Sequence, residues 1–352
     1  MKMKDVYARL RKTDLPIYIW GNGEVAMFSN KKLAQEGITV SGFVTDDGRS
    51  NAGVEKQWLL DNVEKYILIR GFLGAYFMND ADIIRKWVGC EEVYSIMDCY
   101  ESYFTEILST EYFDANRERF ITVRNLLADD ISKRSMDAFI HAKTLGECDE
   151  IRDVAVLPQY FFCDAPWKYS ENDVLFDCGA FNGDSIASFL KLRGDAYDSI
   201  IACEPDEKNY ADLLAYIEKN RIRDVRTYPV GMYDCQTQLS FVQQGDKISS
   251  ISEHGEMLIH VDSIDHLAGE KRITIIKMDI EGSEMKALEG AVHTIKRDRP
   301  ILMISAYHKR DDIFNICEFV NELVADYDFY FRCHKPMTVD AVLYAVPRER
   351  VK

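Results

Sequence analysis

No stretch of the chain stays apolar for the roughly 20 residues that a helix needs to cross a bilayer. The longest candidate, around Tyr66 to Met78, is interrupted by Arg70. Behind the charged start Met1-Lys2-Met3-Lys4-Asp5 there is no apolar run of the kind that forms a signal peptide. A soluble, cytoplasmic protein is expected. Basic residues are also in short supply: 43 Lys and Arg face 59 Asp and Glu, a net charge of −16. A surface of that sign repels phosphate backbones, which sets nucleic acid aside as a partner. Cysteine pairs are missing as well. The nine cysteines are odd in number and contain no CxxC, and Cys178, Cys203 and Cys317 lie in apolar stretches. Reduced core thiols are therefore expected rather than disulfides. With neither paired cysteines nor an HExxH spacing, no zinc site is expected and no metal ligand is assigned.

What is present suffices for more than one packed core: 352 residues, 47% apolar and 29% charged. Three pieces follow one another, a small Rossmann-like domain over 1–105, a helical linking segment over 106–157, and a larger domain over 158–352. In the first, Ile17 to Trp20 reads as a strand, Gly21-Asn22-Gly23-Glu24-Val25-Ala26 as a glycine turn, and the stretch to Glu36 as a helix. Further strands are expected at Ile38 to Val44, ending at Asp46-Asp47-Gly48, and at Tyr66 to Ile69 and Val93 to Met97, with a helix over Asp80 to Val88. From about Tyr103 to Ile151, Phe120, Val123, Leu126, Leu127 and Ile131 recur at helical spacing. Two amphipathic packing helices are expected there, the second around Ser135 to Thr144.

In the third piece the strands read as Val174 to Phe176, Ser199 to Cys203, Val225 to Pro229, Ile273 to Met278, Ile301 to Ser305, Phe329 to Cys333 and Ala341 to Ala345. Helices follow the first, second, fourth and fifth, and Leu239 to Val242 and Leu258 to His260 add short antiparallel strands. Only His334 to Asp340 separates the last two main strands, too few residues for a crossover helix, so that pair is antiparallel. The fold class is α/β, with two doubly wound, Rossmann-like sheets, the second of them seven-stranded.

The strongest chemical signal runs from Val174 to Ser185. A buried strand ends in Asp177, then Gly179-Ala180-Phe181-Asn182-Gly183 opens a helix at Asp184. Glycines there let the backbone approach a ligand, and the free N–H groups of the helix suit a carboxylate. Asp177 can receive an ammonium group, so a zwitterion such as the methionine end of S-adenosylmethionine fits. Glu204, at the end of the next strand and followed by Pro205, is placed to accept both hydroxyls of a ribose. Asp279 and Glu281 fall beyond another strand, where ligands of parallel sheets bind, with Gly282 turning the chain into a helix. His308, beyond Ile304-Ser305, is the favoured general base because its usual pKa lies near working pH, with His334 behind it. The bland alternative for each is a structural turn or helix-terminal acid.

Taken together, these residues resemble the FkbM family of S-adenosylmethionine-dependent methyltransferases. The resemblance rests on Asp177-Cys178-Gly179-Ala180 with Gly183-Asp184-Ser185, Glu204-Pro205, Val261-Asp262-Ser263-Ile264-Asp265, Lys277-Met278-Asp279-Ile280-Glu281-Gly282 with Glu284, and Tyr307-His308-Lys309 with Asp311-Asp312. It covers about residues 158 to 346. It implies a class I methyltransferase sheet and O-methylation of a small molecule or sugar, in bacterial natural-product or surface-polysaccharide pathways. S-adenosylmethionine is the implied cofactor, held by Asp177, Gly179, Ala180, Phe181, Gly183, Asp184, Ser185, Glu204, Pro205, Gly231 and Met232. His308, Asp279 and Glu281 are the catalytic candidates. Base methylation of DNA is not expected, since no Pro-Pro or Pro-Cys dipeptide occurs.

The N-terminal loop Gly21 to Ala26 follows a GxGxxA pattern, with Asp46 at 25 residues beyond Gly21. That suits NAD or a nucleotide sugar, the latter a candidate acceptor, although Glu24 opposes a pyrophosphate by like charge. An NAD-dependent oxidoreductase or a non-catalytic sugar-nucleotide sensor are the rival readings. About one hundred residues leave little room for the first, and the intact Asp177, Gly179, Gly183 and Glu204 oppose the second.

Overall fold

The computed structural model describes residues 3–46, 53–71, 80–96, 110–145, 149–243, 249–251, 257–334 and 339–352. Asp47, Gly48, Met97 and Tyr103, which bound elements expected above, lie outside the described residues, as does the side chain of Glu24. The chain divides into two compact units, one of residues 1–107, 140–153 and 335–338, the other of 108–139, 154–334 and 339–352.

The smaller unit holds a five-stranded sheet, β3-β2-β1-β4-β5, built from β1 (Ile17–Trp20), β2 (Gly42–Thr45), β3 (Val54–Glu55), β4 (Tyr66–Arg70) and β5 (Cys90–Ser95). Every pairing is parallel. Side chains of a strand alternate between faces, and the two cores follow that rule. Ile17, Ile19, Ile67 and Ile69 pack on one face, while Tyr18, Trp20, Tyr66 and Leu68 pack with Trp87 on the other. The second strand starts at Gly42 rather than at Ile38, which is buried ahead of it, and β3 was not foreseen because two residues carry no periodicity.

In the larger unit a seven-stranded sheet runs β15-β16-β14-β13-β6-β7-β8. Its strands are β6 (Val174–Cys178), β7 (Ser199–Cys203), β8 (Val225–Tyr228), β13 (Ile275–Met278), β14 (Ile301–Ser305), β15 (Tyr327–Cys333) and β16 (Ala341–Pro347). The last two pair antiparallel, as their short connection requires, and the rest of the sheet from β14 to β8 is parallel. A four-stranded sheet, β11-β10-β12-β9, stands between β8 and β13 in the chain, formed by β9 (Gly231–Met232), β10 (Thr237–Gln243), β11 (Ser249–Ile251) and β12 (Met257–Asp262). Helices at Asp184–Arg193, Glu207–Asn220, Glu284–Glu289 and Asp312–Leu323 follow the expected strands.

Among the described residues, the stretch expected to hold two helices holds four, Thr110–Ala115, Arg117–Leu126, Asp130–Leu145 and Asp149–Val154. Part of it seals the outer edge of the large sheet. Ala128 N–H donates to the carbonyl of Phe329 at 2.8 Å, and the Phe331 N–H donates to Ser132 Oγ at 3.1 Å. Arg332, buried, pairs with Asp129 at 2.6 Å. An open strand edge is thereby capped by side chains and a single bridge, which blocks pairing with another chain.

Candidate active site

Three loops leave the carboxyl ends of the neighbouring strands β13, β6 and β7 side by side. The central one follows β6. Gly179 N–H and Ala180 N–H both donate to the Cys203 carbonyl at 3.0 Å, and Gly183 N–H to Ala180 O at 2.9 Å. Gly179 has φ +76°, and a Cβ there would overlap the carbonyl oxygen of Asp279. Its glycine is therefore required by the crossing of two loops. That contact is a structural reason for glycine beside the ligand approach expected from the sequence. Gly183, φ +92°, caps the helix Asp184–Arg193 with its Cα facing the ring of Tyr216. Asp184 accepts the Ser185 N–H at 2.7 Å, and Phe181, φ +47°, is among the exposed large hydrophobic residues.

Asp177 is fully buried, and register places it beside Lys277 on β13. The Lys277 ammonium lies 3.0 Å from its Oδ1, and Ser185 Oγ hydrogen-bonds its Oδ2. Lys277 also donates to Gly179 O at 2.6 Å. Burial opposes the charge on Lys277, but Asp177, Asp279 and Asp184 outweigh it and hold its pKa above the usual lysine value. The ammonium that Asp177 receives is thus the chain's own. In this arrangement Asp177 fixes the loop through Lys277 and Ser185.

Glu204, beyond β7, is buried and held from two sides. Its Oε2 accepts the Phe181 N–H at 2.9 Å and its Oε1 the Asp206 N–H at 3.0 Å. Burial raises its pKa, with those two amides acting the other way. Each oxygen keeps a further lone pair. Gly231 and Met232 are buried in β9, next to Val261 and Asp262 on β12, with Pro205 close to Gly231. The Val261-Asp262-Ser263-Ile264-Asp265 motif is structural. Asp262 accepts the Ser263 N–H, and Asp265 accepts the amides of His293 and Thr294 at the start of a following helix.

Beyond β13 and β14 an acidic group surrounds one histidine. His308 Nδ1 is 2.9 Å from Glu284 Oε1, and its Nε2 is 3.5 Å from Asp279 Oδ1 and 3.4 Å from Glu281 Oε2. Side-chain exposure is 6% for His308 and 0% for Glu284, against 25% for Asp279 and 36% for Glu281. Asp279 also accepts from Tyr160 OH at 2.9 Å and Tyr307 OH at 3.3 Å. Burial works against a charged His308, yet Glu284, Asp279 and Glu281 prevail and its pKa is pushed up to about 10. That setting favours the imidazolium as long as no other cation takes the proton's place, which weakens the case for His308 as a general base. Burial pushes the Glu281 carboxyl up to about 7, with His308 opposing and Asp279 and Glu284 reinforcing. Asp279 stays below the usual value although burial opposes this, because Lys277, His308, Tyr160 and Ser305 favour its charge.

His334 is not part of this group. It is buried, with Nδ1 2.6 Å from Val156 O and Nε2 2.6 Å from Tyr344 OH, so both ring nitrogens serve the core. Lys277 and Glu284 stand in the motif that carries the resemblance but were given no role, and Tyr160 was passed over. A lysine inside Ile275-Ile276-Lys277-Met278 was a readable sign of a buried ion pair, whereas nothing local marks Tyr160. In the smaller unit, Gly21 (φ +117°) and Gly23 stand between β1 and the helix Glu24–Gln35, and Asp46 follows β2.

Residues 177–331 match the family model of the methyltransferase FkbM domain. The chain is similar in structure to the methyltransferase FkbM of Methylobacillus flagellatus KT, with TM-score 0.64 and 22% identity over 97% of this chain and 92% of that one. At that identity the likeness is one of fold. Lesser likenesses, to an rRNA methylase of Streptococcus thermophilus (TM-score 0.34, 12% identity) and to fibrillarin of Aeropyrum pernix in complex with S-adenosyl-L-methionine (TM-score 0.35, 10% identity), cover 52% and 53% of this chain and 89% and 70% of those. No curated protein matches the chain.

Proposed function

We propose, from the premise that residues 177–331 are a methyltransferase FkbM domain, that the chain transfers a methyl group to a hydroxyl oxygen of a small molecule or sugar. When bound, S-adenosylmethionine supplies a sulfonium methyl open to attack by that oxygen. The observation carrying this reading is the flanking arrangement about β6, with Glu204 on the β7 side and Asp279 and Glu281 on the β13 side. A buried carboxylate held by two backbone amides, with lone pairs to spare, suits a vicinal diol such as a ribose. The exposed Phe181 stands in the same loop. The acceptor is placed against Asp279 and Glu281, whose carboxylates reach solvent while His308 is enclosed. Holding the oxygen about 3 Å from the carbon it attacks supplies most of the acceleration through orientation, and a carboxylate that accepts the hydroxyl proton adds to it. A nucleotide sugar is one acceptor to include, and the setting is the surface-polysaccharide or natural-product biosynthesis that the family resemblance implies.

Calorimetry with S-adenosylmethionine and S-adenosylhomocysteine tests the reading, followed by incubation with a panel of sugars, nucleotide sugars and small alcohols and detection of S-adenosylhomocysteine. Micromolar binding is expected. Glu204→Ala is expected to weaken it roughly tenfold or more, since hydrogen bonds to a charged group contribute about 1.5–3 kcal/mol. Glu204→Gln, which keeps one acceptor oxygen, separates lost ligand contacts from a loosened loop. An alanine variant that binds like the wild type removes Glu204 from the assignment, and absence of binding by the wild type removes the whole reading.

A further inference from the structure

The acidic group about His308 has a geometry that methyl transfer alone does not require. The Nδ1 of the imidazole is taken by Glu284 Oε1 at 2.9 Å, and Oε1 also accepts the Ile280 N–H at 3.0 Å. That bond fixes the ring and turns Nε2 toward Asp279 and Glu281, at 3.5 and 3.4 Å. Among the described residues, Nε2 is buried with no hydrogen-bond partner, and so is Glu284 Oε2. Separations near 3.5 Å are too long for a hydrogen bond and suit atoms that share an ion bound at about 2.0–2.2 Å from each.

We propose that His308 Nε2, Asp279 and Glu281 form a binding site for a divalent cation, which takes the place of the Nε2 proton, with Glu284 orienting the histidine from behind. Asp279, Glu284 and His308 form a compact group, their ligand-type atoms within 4.8 Å of one another, and Glu281 joins it through the 3.4 Å approach of its Oε2 to Nε2. Since Glu284 Oε1 already holds Nδ1, its part is orientation, as in the carboxylate–histidine–metal arrangements of many metal centres. Asp279 is itself braced, by Tyr160 OH and Tyr307 OH, which is how ligating carboxylates are usually held. The exposed flank at Glu281 leaves room for water or an acceptor oxygen. Two carboxylates and an imidazole are a hard-to-borderline donor set, suited to manganese(II) or iron(II) more than to a thiolate-seeking metal. In the methyl-transfer reading, on which this clause alone rests, the cation holds the acceptor oxygen and favours its deprotonated form.

Titration of the full chain with manganese(II) alone, without S-adenosylmethionine or acceptor, tests the site. The paramagnetic resonance signal of free manganese(II) is expected to fall until a single ion is bound. Asp279→Asn is expected to abolish that binding. Glu284→Gln keeps an acceptor for the Ile280 amide and is expected to weaken it by the roughly 10- to 100-fold that loss of an outer partner costs. Thermal melts show that each variant is folded, and should Glu284→Gln fail to fold, the more exposed Asp279→Asn carries the test. No depletion of the free ion, or depletion that survives in the folded Asp279→Asn variant, overturns the proposal. Because no cofactor is present, such a failure leaves the methyl-transfer reading standing, and failure of that reading leaves the ion binding measurable.

Discussion

Gly179 and Lys277 show how much one position can hold at the residue scale. The contact between Gly179 and the Asp279 carbonyl joins two of the three site loops, and the left-handed backbone adds a second reason for glycine. Gly179→Ala is therefore expected to cost about 3 kcal/mol or more, the sum of overpacking and an unfavourable φ. The check is soluble yield and a denaturant melt, and an alanine variant as stable as the wild type would show that the loops part easily. Lys277→Met leaves Asp177 buried with only Ser185 beside it. Breaking one side of a buried pair costs about 3–5 kcal/mol. The double variant Lys277→Met with Asp177→Asn is expected to recover more than half of that in the same melt. Both residues stand out in the sequence, Gly179 in a glycine loop and Lys277 in an apolar strand. The pairings do not, because strand register joins residues a hundred positions apart, and no local pattern carries that information. For the same reason His308, Asp279 and Glu281 were each legible as candidates, while their gathering about one imidazole with Glu284 behind it was not.

Elements were easier to read where periodicity is strong. All seven strands of the large sheet, the antiparallel last pair and the helices after β6, β7, β13 and β14 follow from apolar runs and connection lengths. The segment from 110 to 154 was read less well. Its helices are short and its apolar positions serve different neighbours: Phe120 packs edge-on against Phe314, while Ile131 is exposed. The pairing of Asp129 with Arg332 at the sheet edge could not be anticipated at all. Burial opposes the Asp129 charge, and Arg332 and Ser132 outweigh it, so its carboxyl sits below the usual value. A depressed folded pKa contributes stability that is present above the unfolded value of about 4 and is lost as pH falls through the folded one. Asp129→Asn is accordingly expected to lower the melting temperature at pH 7, with the gap to the wild type closing as pH falls below the unfolded value of about 4. A gap that stays constant across that range would mean the charge is not what stabilises the edge.

For the whole molecule, the division into two units decides how the chain can be cut. Residues 140–153 belong with the N-terminal unit although they come after the segment 108–139 of the larger one. Buried Ala142, Lys143 and Ile151 lie in that stretch. A fragment of residues 108–352 is expected to be less soluble than the full chain yet to bind S-adenosylmethionine with unchanged affinity, since the proposed site lies in the larger unit alone. Equal soluble yield would show that residues 140–153 need no N-terminal unit. The cap on the β15 edge sets a further condition, one of time. Ser132 meets Phe331 across 199 residues of chain. At a synthesis rate of roughly 5–20 residues per second, the capping segment waits about 10–40 s for the strand it covers. The ribosome releases the cap before β15 and before β16, the strand that ties β15 to the sheet, so the outer strand is never made with its guard still to come.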